Sequence, residues 1–254
     1  VATYERGRLR FWTDPFEINV SNEFHVFTPS DSVQDVTLFA KFTLQADEMF
    51  LNRRIGGTFE GSNEPDFREK EVLYLINEKP KRLQTVVQSY SSKPYRYVRY
   101  VGPKDSHCNI AEAAFYTPND TTLLKGKVIG TPGCFQKDGS HEYTNVFDGD
   151  VTTSFDYIEP SGGWSGLDLG TPKQIGRIVY TPRSYDNYIR SGDEYELFYC
   201  VNKTGWFSLG IQLSGSDSLV YRKVPANVMF LLKNYSRGRQ ERIFVYEDGK
   251  QRWK

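Results

Sequence analysis

Asn145-Val146-Phe147-Asp148-Gly149-Asp150-Val151-Thr152-Thr153-Ser154-Phe155, followed shortly by Gly162-Gly163-Trp164-Ser165-Gly166-Leu167-Asp168-Leu169-Gly170, decides how this chain is read. The first segment places an acidic Asp-Gly-Asp turn beside aromatic residues. The second reads as a strand running into a glycine turn. Working outward, short apolar/polar alternations recur on both sides, such as Phe16-Glu17-Ile18-Asn19-Val20 and Tyr95-Arg96-Tyr97-Val98-Arg99-Tyr100-Val101. Each is the pattern of a strand with one packed face and one wet face. Turn chemistry separates them, as in Thr28-Pro29-Ser30-Asp31-Ser32 and Thr117-Pro118-Asn119-Asp120. Only Asn109–Phe115 offers a helical turn, and it is short. The expected class is all-β.

Residues 171–254 mirror residues 40–118 in a weak internal repeat. Tyr195–Asn202 matches Thr58–Asn63, and Trp206–Gly210 matches Val72–Ile76. Val228–Asn234 matches Tyr95–Val101, and Arg242–Glu247 matches Ala111–Tyr116. With the turn at 117–120 as the boundary, the repeat predicts two tandem β-sandwich domains, 1–118 and 119–254. The first is divergent, because it lacks the Asp-Gly-Asp turn. Residues 1–40 read either as its opening strands or as the tail of a preceding domain.

Lys+Arg 32 balance Asp+Glu 32, so the chain has no global field to gather nucleic acid. No apolar run approaches the roughly 20 residues that span a bilayer. The opening Val1-Ala2-Thr3-Tyr4-Glu5 has no apolar signal core and no initiator Met, which leads us to expect a mature or excised fragment. Cys108, Cys134 and Cys200 have no paired metal-ligand spacing. Cys200 reads as a buried strand thiol, and Cys108 and Cys134 are left as a pair that would bridge the two halves if they meet. Asn19, Asn119, Asn202 and Asn234 each open an Asn-X-Ser/Thr triplet. His25, His107 and His141 are scattered, and no nucleophile elbow, His-Glu-X-X-His or phosphate loop occurs. The expectation is a chain that is not an enzyme.

The Asp148-Gly149-Asp150 turn with Thr152 and Thr153 resembles the discoidin-type family, the galactose-binding-like jelly roll of the C-type domains of coagulation factors five and eight and of many carbohydrate-binding modules. Trp164 with Leu167-Asp168-Leu169-Gly170, Ile178–Arg183 and Tyr195–Tyr199 extend the resemblance over nearly all of the second half. The first half resembles the later part of the same fold through Gly56–Asn63 and Tyr95–Tyr116. Two such units together look like the C-terminal parts of exported, glycan-related proteins of Bacteroidetes-type bacteria. The resemblance implies a secreted, periplasmic or cell-surface carbohydrate-binding module accessory to a larger protein. Its partners would be a glycan and the neighbouring domains. A second reading is a scaffold that positions a catalytic neighbour and has no sugar site.

Asp148, Asp150 and Thr153 offer oxygens to a hard cation, or else form an Asp-Gly turn capped by its own side chains. The family's structural calcium site uses this turn with an acidic residue near the domain's end, a position Glu247 would fill. The expected sugar surface is the loop 183–190, with Arg183, Tyr185, Asn187 and Arg190, joined by Tyr157. Aromatic rings stack on sugar faces, while Arg and Asn bond hydroxyls. Arg183 reads equally as a brace bonding carbonyls. Asn63, Asp66 and His107 are the corresponding weak candidates in the first half. Trp164 and Trp206 are expected to be packed.

Overall fold

The computed structural model describes residues 2–11, 14–43, 49, 52–89, 91–118, 122–201, 204–237 and 241–254. Trp12, Asn119 and Asn202 lie outside the described residues. As expected, the chain is all-β and built from antiparallel sheets. Its contacts divide it into two compact units, residues 44–186 and residues 1–43 with 187–254.

The N-terminal part of the discontinuous unit holds β1 (Ala2–Glu5), β2 (Arg8–Phe11), β3 (Phe16–Ile18), β4 (Phe24–Val26) and β5 (Val33–Leu38). The continuous unit holds β6 (Thr58–Ser62), β7 (Lys70–Leu75), β8 (Thr85–Gln88), β9 (Tyr95–Val101), β10 (Cys108–Tyr116) and β11 (Lys127–Gly130). A 3-10 turn (Tyr143–Phe147) follows, then β12 (Phe155–Asp156), β13 (Trp164–Lys173) and β14 (Arg177–Pro182). The discontinuous unit resumes with β15 (Glu194–Val201), β16 (Gly205–Leu213), β17 (Leu219–Pro225), β18 (Met229–Asn234), β19 (Ile243–Glu247) and β20 (Lys250–Trp253).

In the continuous unit a five-stranded sheet, β11-β13-β9-β6-β7, and a four-stranded sheet, β12-β10-β14-β8, share one core. Phe59 on β6 sits with its ring centroid 5.3 Å from that of Tyr100, 5.4 Å from that of Tyr180 and 6.0 Å from that of Phe115. Val98, Ile110, Phe155 and Ile178 complete the buried layer. Fully burying a side chain of this size contributes about 1.5–3 kcal/mol, so such a cluster is what holds the sheets face to face. Gly166 is required where β13 crosses β9, because a Cβ there would lie 2.3 Å from the Val98 carbonyl oxygen.

The outer face of β9, expected to be wet, is partly covered. The Arg99 guanidinium lies 3.9 Å from the Phe67 ring and 5.2 Å from that of Trp164, and bonds buried Glu60 at 2.7 Å. Trp164 is therefore half-buried in a cation–π stack outside the sheet, instead of in the core.

The discontinuous unit carries the sheet β16-β15-β18-β19-β20 and the pair β17-β5. Its core gathers Val36, Leu38, Tyr195, Leu197, Phe230 and Phe244. Gln251 on β20 accepts the Phe39 and Ala40 amides and donates to the Ala40 carbonyl, which fastens the end of β5.

Several expectations are corrected. The boundary at 118/119 does not divide the sheets, because β9 pairs with β13 and β10 with β14 across it. Asn109–Phe115 lies within strand β10: Glu112 through Tyr116 each pair with a residue of β14, and Phe115 is buried in the core. Trp206 is 38% exposed on the edge strand β16. All three cysteines are free thiols. Cys108 pairs with Asp156 and Cys134 with Tyr157, so that strand runs between them.

Candidate functional site

The site begins with a backbone irregularity. At the start of β10, Cys108 and Asn109 adopt φ of 74° and 49°, and the register with β12 shifts between Cys108 and Ile110. Left-handed backbone at non-glycine residues beside a bulge costs of order 1–3 kcal/mol and clusters at functional sites. Here the His107 carbonyl accepts both the Asn109 and the Tyr157 amides. Gly163 allows the packing, since a Cβ there would lie 2.6 Å from Cys108 Sγ.

Arg54 fixes the bulge. It is fully buried, with Nε donating to the Asn109 carbonyl and Nη2 to the Arg183 carbonyl at 3.1 Å. One planar guanidinium thus ties the start of β10 to the residue after β14.

Over this clamp lies a cleft of about 290 Å³ lined by Arg53, His107, Asn109, Phe135, Asp156 and Arg183, with Met49 and Gln136 at its margin. Asp156 is buried on β12; its carboxylate accepts the Asn109 amide at 2.6 Å and contacts the Arg183 guanidinium. Burial draws the Arg183 pKa down, opposed by its contact with Tyr185. Asn109 Oδ1 has no hydrogen-bond partner although the residue is almost wholly buried. His107 Nδ1 lies 2.7 Å from the Tyr157 carbonyl, so that nitrogen is the donor and Nε2 is left to face other groups. Phe135 is 59% exposed, with its ring edge-on to His107 at 4.8 Å. An exposed aromatic face beside fixed polar groups can stack on a ring and bond its hydroxyls.

The structure gathers only part of the expected set. Arg183 lines the cleft, Tyr185 contacts it, and Tyr157 contributes its carbonyl while its ring packs on Phe155. Asn187 and Arg190 belong to the other unit, where buried Asn187 donates to the Phe42 carbonyl at 3.2 Å and the Arg190 amide bonds Tyr195. Of the weak candidates, His107 lies in the cleft. Asn63 instead braces Pro94 and Arg96, and Asp66 pairs with Arg68. Asn109, Asp156 and Phe135 were missed. Asn109 and Asp156 sit at the polar ends of apolar strands, where the register shift beside them leaves no mark on periodicity, and Phe135 lies in a turn with no pattern to single it out.

The Asp-Gly-Asp turn caps itself. Asp148 accepts the Asp150 amide at 2.7 Å and the Thr153 hydroxyl at 2.8 Å, and Asp150 accepts both donors of Thr152. The acidic residue at this turn is Glu112 on β10, bonded to the Gly149 amide at 2.9 Å. Desolvation, and then the neighbouring Asp148, push its pKa up to about 8. Glu247 is elsewhere, in the β19–β20 hairpin of the discontinuous unit, 3.4 Å from Arg252. Among the described residues no three His, Cys, Asp or Glu side chains gather as a metal set. A hard cation at the turn would draw on Glu112, Asp148, the Thr153 hydroxyl and carbonyls, and two crowded carboxyls are chemically suited to one.

No helix among the described residues is long and apolar enough to cross a membrane. Compared with known protein families, curated proteins and solved structures, the chain matches none.

Proposed function

We propose that the continuous unit is a galactose-binding-like, non-catalytic carbohydrate-binding module of an exported protein, and that the cleft between Phe135 and Asn109 takes the sugar. The observation that carries this reading is the exposed Phe135 ring set against a rigid polar group of Asn109, Asp156, Arg183 and His107. The ring supplies a stacking face, the Asp156–Arg183 pair supplies an acceptor and donors for vicinal hydroxyls, and Arg54 holds both rims. Binding at one shallow cleft is weak, so attachment to a larger protein or multivalency gives it purpose. Calcium would act as a structural ion at Glu112 and Asp148. Adding it raises the melting temperature of the wild type and not that of Glu112→Gln.

Affinity electrophoresis in gels bearing galactose-, N-acetylhexosamine- or uronate-containing glycans tests the reading. We expect retardation on at least one, weakened about tenfold by Phe135→Ala, as the loss of a stacked ring of ~1–1.5 kcal/mol predicts. A folded protein that migrates freely on all of them would falsify it.

One observation favours a scaffold role for the other unit. Its edge strand β16 exposes Phe207, Ile211 and Leu213, the last 71% exposed. An apolar sheet edge of this kind suits contact with another protein surface.

A further inference from the structure

The charges around the cleft are unequal. Asp156 is engaged by Arg183 and by the Asn109 amide, so those two opposite charges largely cancel. Arg53 is different. It lines the same cleft, is exposed, and has no carboxylate within ion-pair distance among the described residues. Its backbone is one residue from the buried Arg54 clamp, so the guanidinium projects from an anchored point. Among the described residues the cleft therefore presents one two-pronged cation with no carboxylate partner, beside an aromatic platform.

From this geometry we infer that the cleft selects sugars bearing an anionic substituent, a carboxylate or a sulfate, which the Arg53 guanidinium engages while Phe135 takes the ring face. The inference rests on the carbohydrate-binding reading and names its ligand class. A guanidinium fork bonds two oxygens of either anion at once, which a neutral hydroxyl pair cannot match. Part of the preference is Coulombic and weakens as salt is raised, because an exposed cation is screened within about 8–10 Å at ordinary ionic strength.

Isothermal titration with four probes tests it: methyl galactoside, methyl galacturonide, the methyl ester of that galacturonide, and galactose 6-sulfate. The expected result is that the wild type binds an anionic probe roughly five- to tenfold tighter than the galactoside and the ester. In Arg53→Gln the ratio falls to about one, with the melting temperature unchanged as the control for folding. The order of galacturonide and galactose 6-sulfate tells whether the fork is matched to a planar or a tetrahedral anion. Equal binding of all four, lost in Phe135→Ala, overturns this inference and leaves the sugar cleft standing. A preference that survives in Arg53→Gln overturns the role of Arg53. Failure of all four, and of the wider glycan set, removes the sugar reading itself.

Discussion

Two three-stranded blocks of this chain are built alike and end differently. In the continuous unit the order is β7-β6-β9, and in the discontinuous unit it is β16-β15-β18, each with the same succession of hairpin and return. The next strand separates them. β19 stays in its sheet beside β18, whereas β10 leaves β9 and joins the opposite sheet through β14. The departure is made by the connection 102–107, where the Gly102 amide bonds the Gly163 carbonyl, and by the left-handed pair Cys108 and Asn109. Crossing over yields a second full layer, a closed aromatic core and a cleft at the crossing. Staying in plane extends the sheet through β19 to β20. The strand pattern alone does not choose between these outcomes; a few residues in one connection do.

That contrast can be broken at its core first. Phe59→Ala removes the ring that both layers of the continuous unit share, and we expect a loss of about 3–5 kcal/mol by urea denaturation. A loss near zero would mean the two sheets do not share that packing. Next, Arg54→Met takes two carbonyls' donors away at the crossing, for an expected ~2–3 kcal/mol. It should also abolish gel retardation at temperatures where the variant is still folded, and unchanged binding would contradict the clamp.

Glu112 gives a pH test. Its carboxyl is held near 8 in the folded chain against 4.5 in an exposed one. A raised folded value means that its contribution is full below about pH 4.5 and is lost as pH rises through 8. Without calcium the wild type should lose melting temperature between about pH 5 and about pH 9, while Glu112→Gln loses less. Parallel profiles for the two proteins would remove Glu112 from the account. The smallest effect belongs to the exposed edge: Ile211→Lys on β16 should change stability by less than ~0.5 kcal/mol. It should also lower any concentration-dependent association seen by sedimentation, and an unfolded variant would show the edge to be packed.

Much of the fold was legible because short runs rich in Tyr, Phe and Val set off by turn residues read as strands, as Tyr95–Val101 and Glu194–Val201 do. Three of the four matches in the repeat fall on strands in like positions, β6 with β15, β7 with β16 and β9 with β18, while the fourth, β10 with β19, does not. The partition was not legible. A turn at Pro118 is locally sound, but the partners of Val98 and Ala114 lie beyond it, at Leu167 and Val179, and pairing at that range has no local signature. The site was half legible for a related reason. Arg183 stands beside a proline and attracts notice, whereas Asn109 and Asp156 sit inside strand patterns and line the cleft beside a bulge. Likewise Glu247 and Glu112 are both acidic residues near strand ends, and only the register of β10 against the turn distinguishes them.

The discontinuity of one unit also orders events during synthesis. Val36 on β5 pairs with Tyr221 on β17, and its partner leaves the ribosome about 185 residues later, roughly 10 to 40 s at ordinary elongation rates. Residues 44–186 hold every strand of their own two sheets and can close once residue 186 has emerged, about 35 residues and roughly 2 to 7 s before Tyr221. The portion translated second is therefore the one able to finish first, and the nascent β5 waits with an unpaired edge until the C-terminal strands arrive.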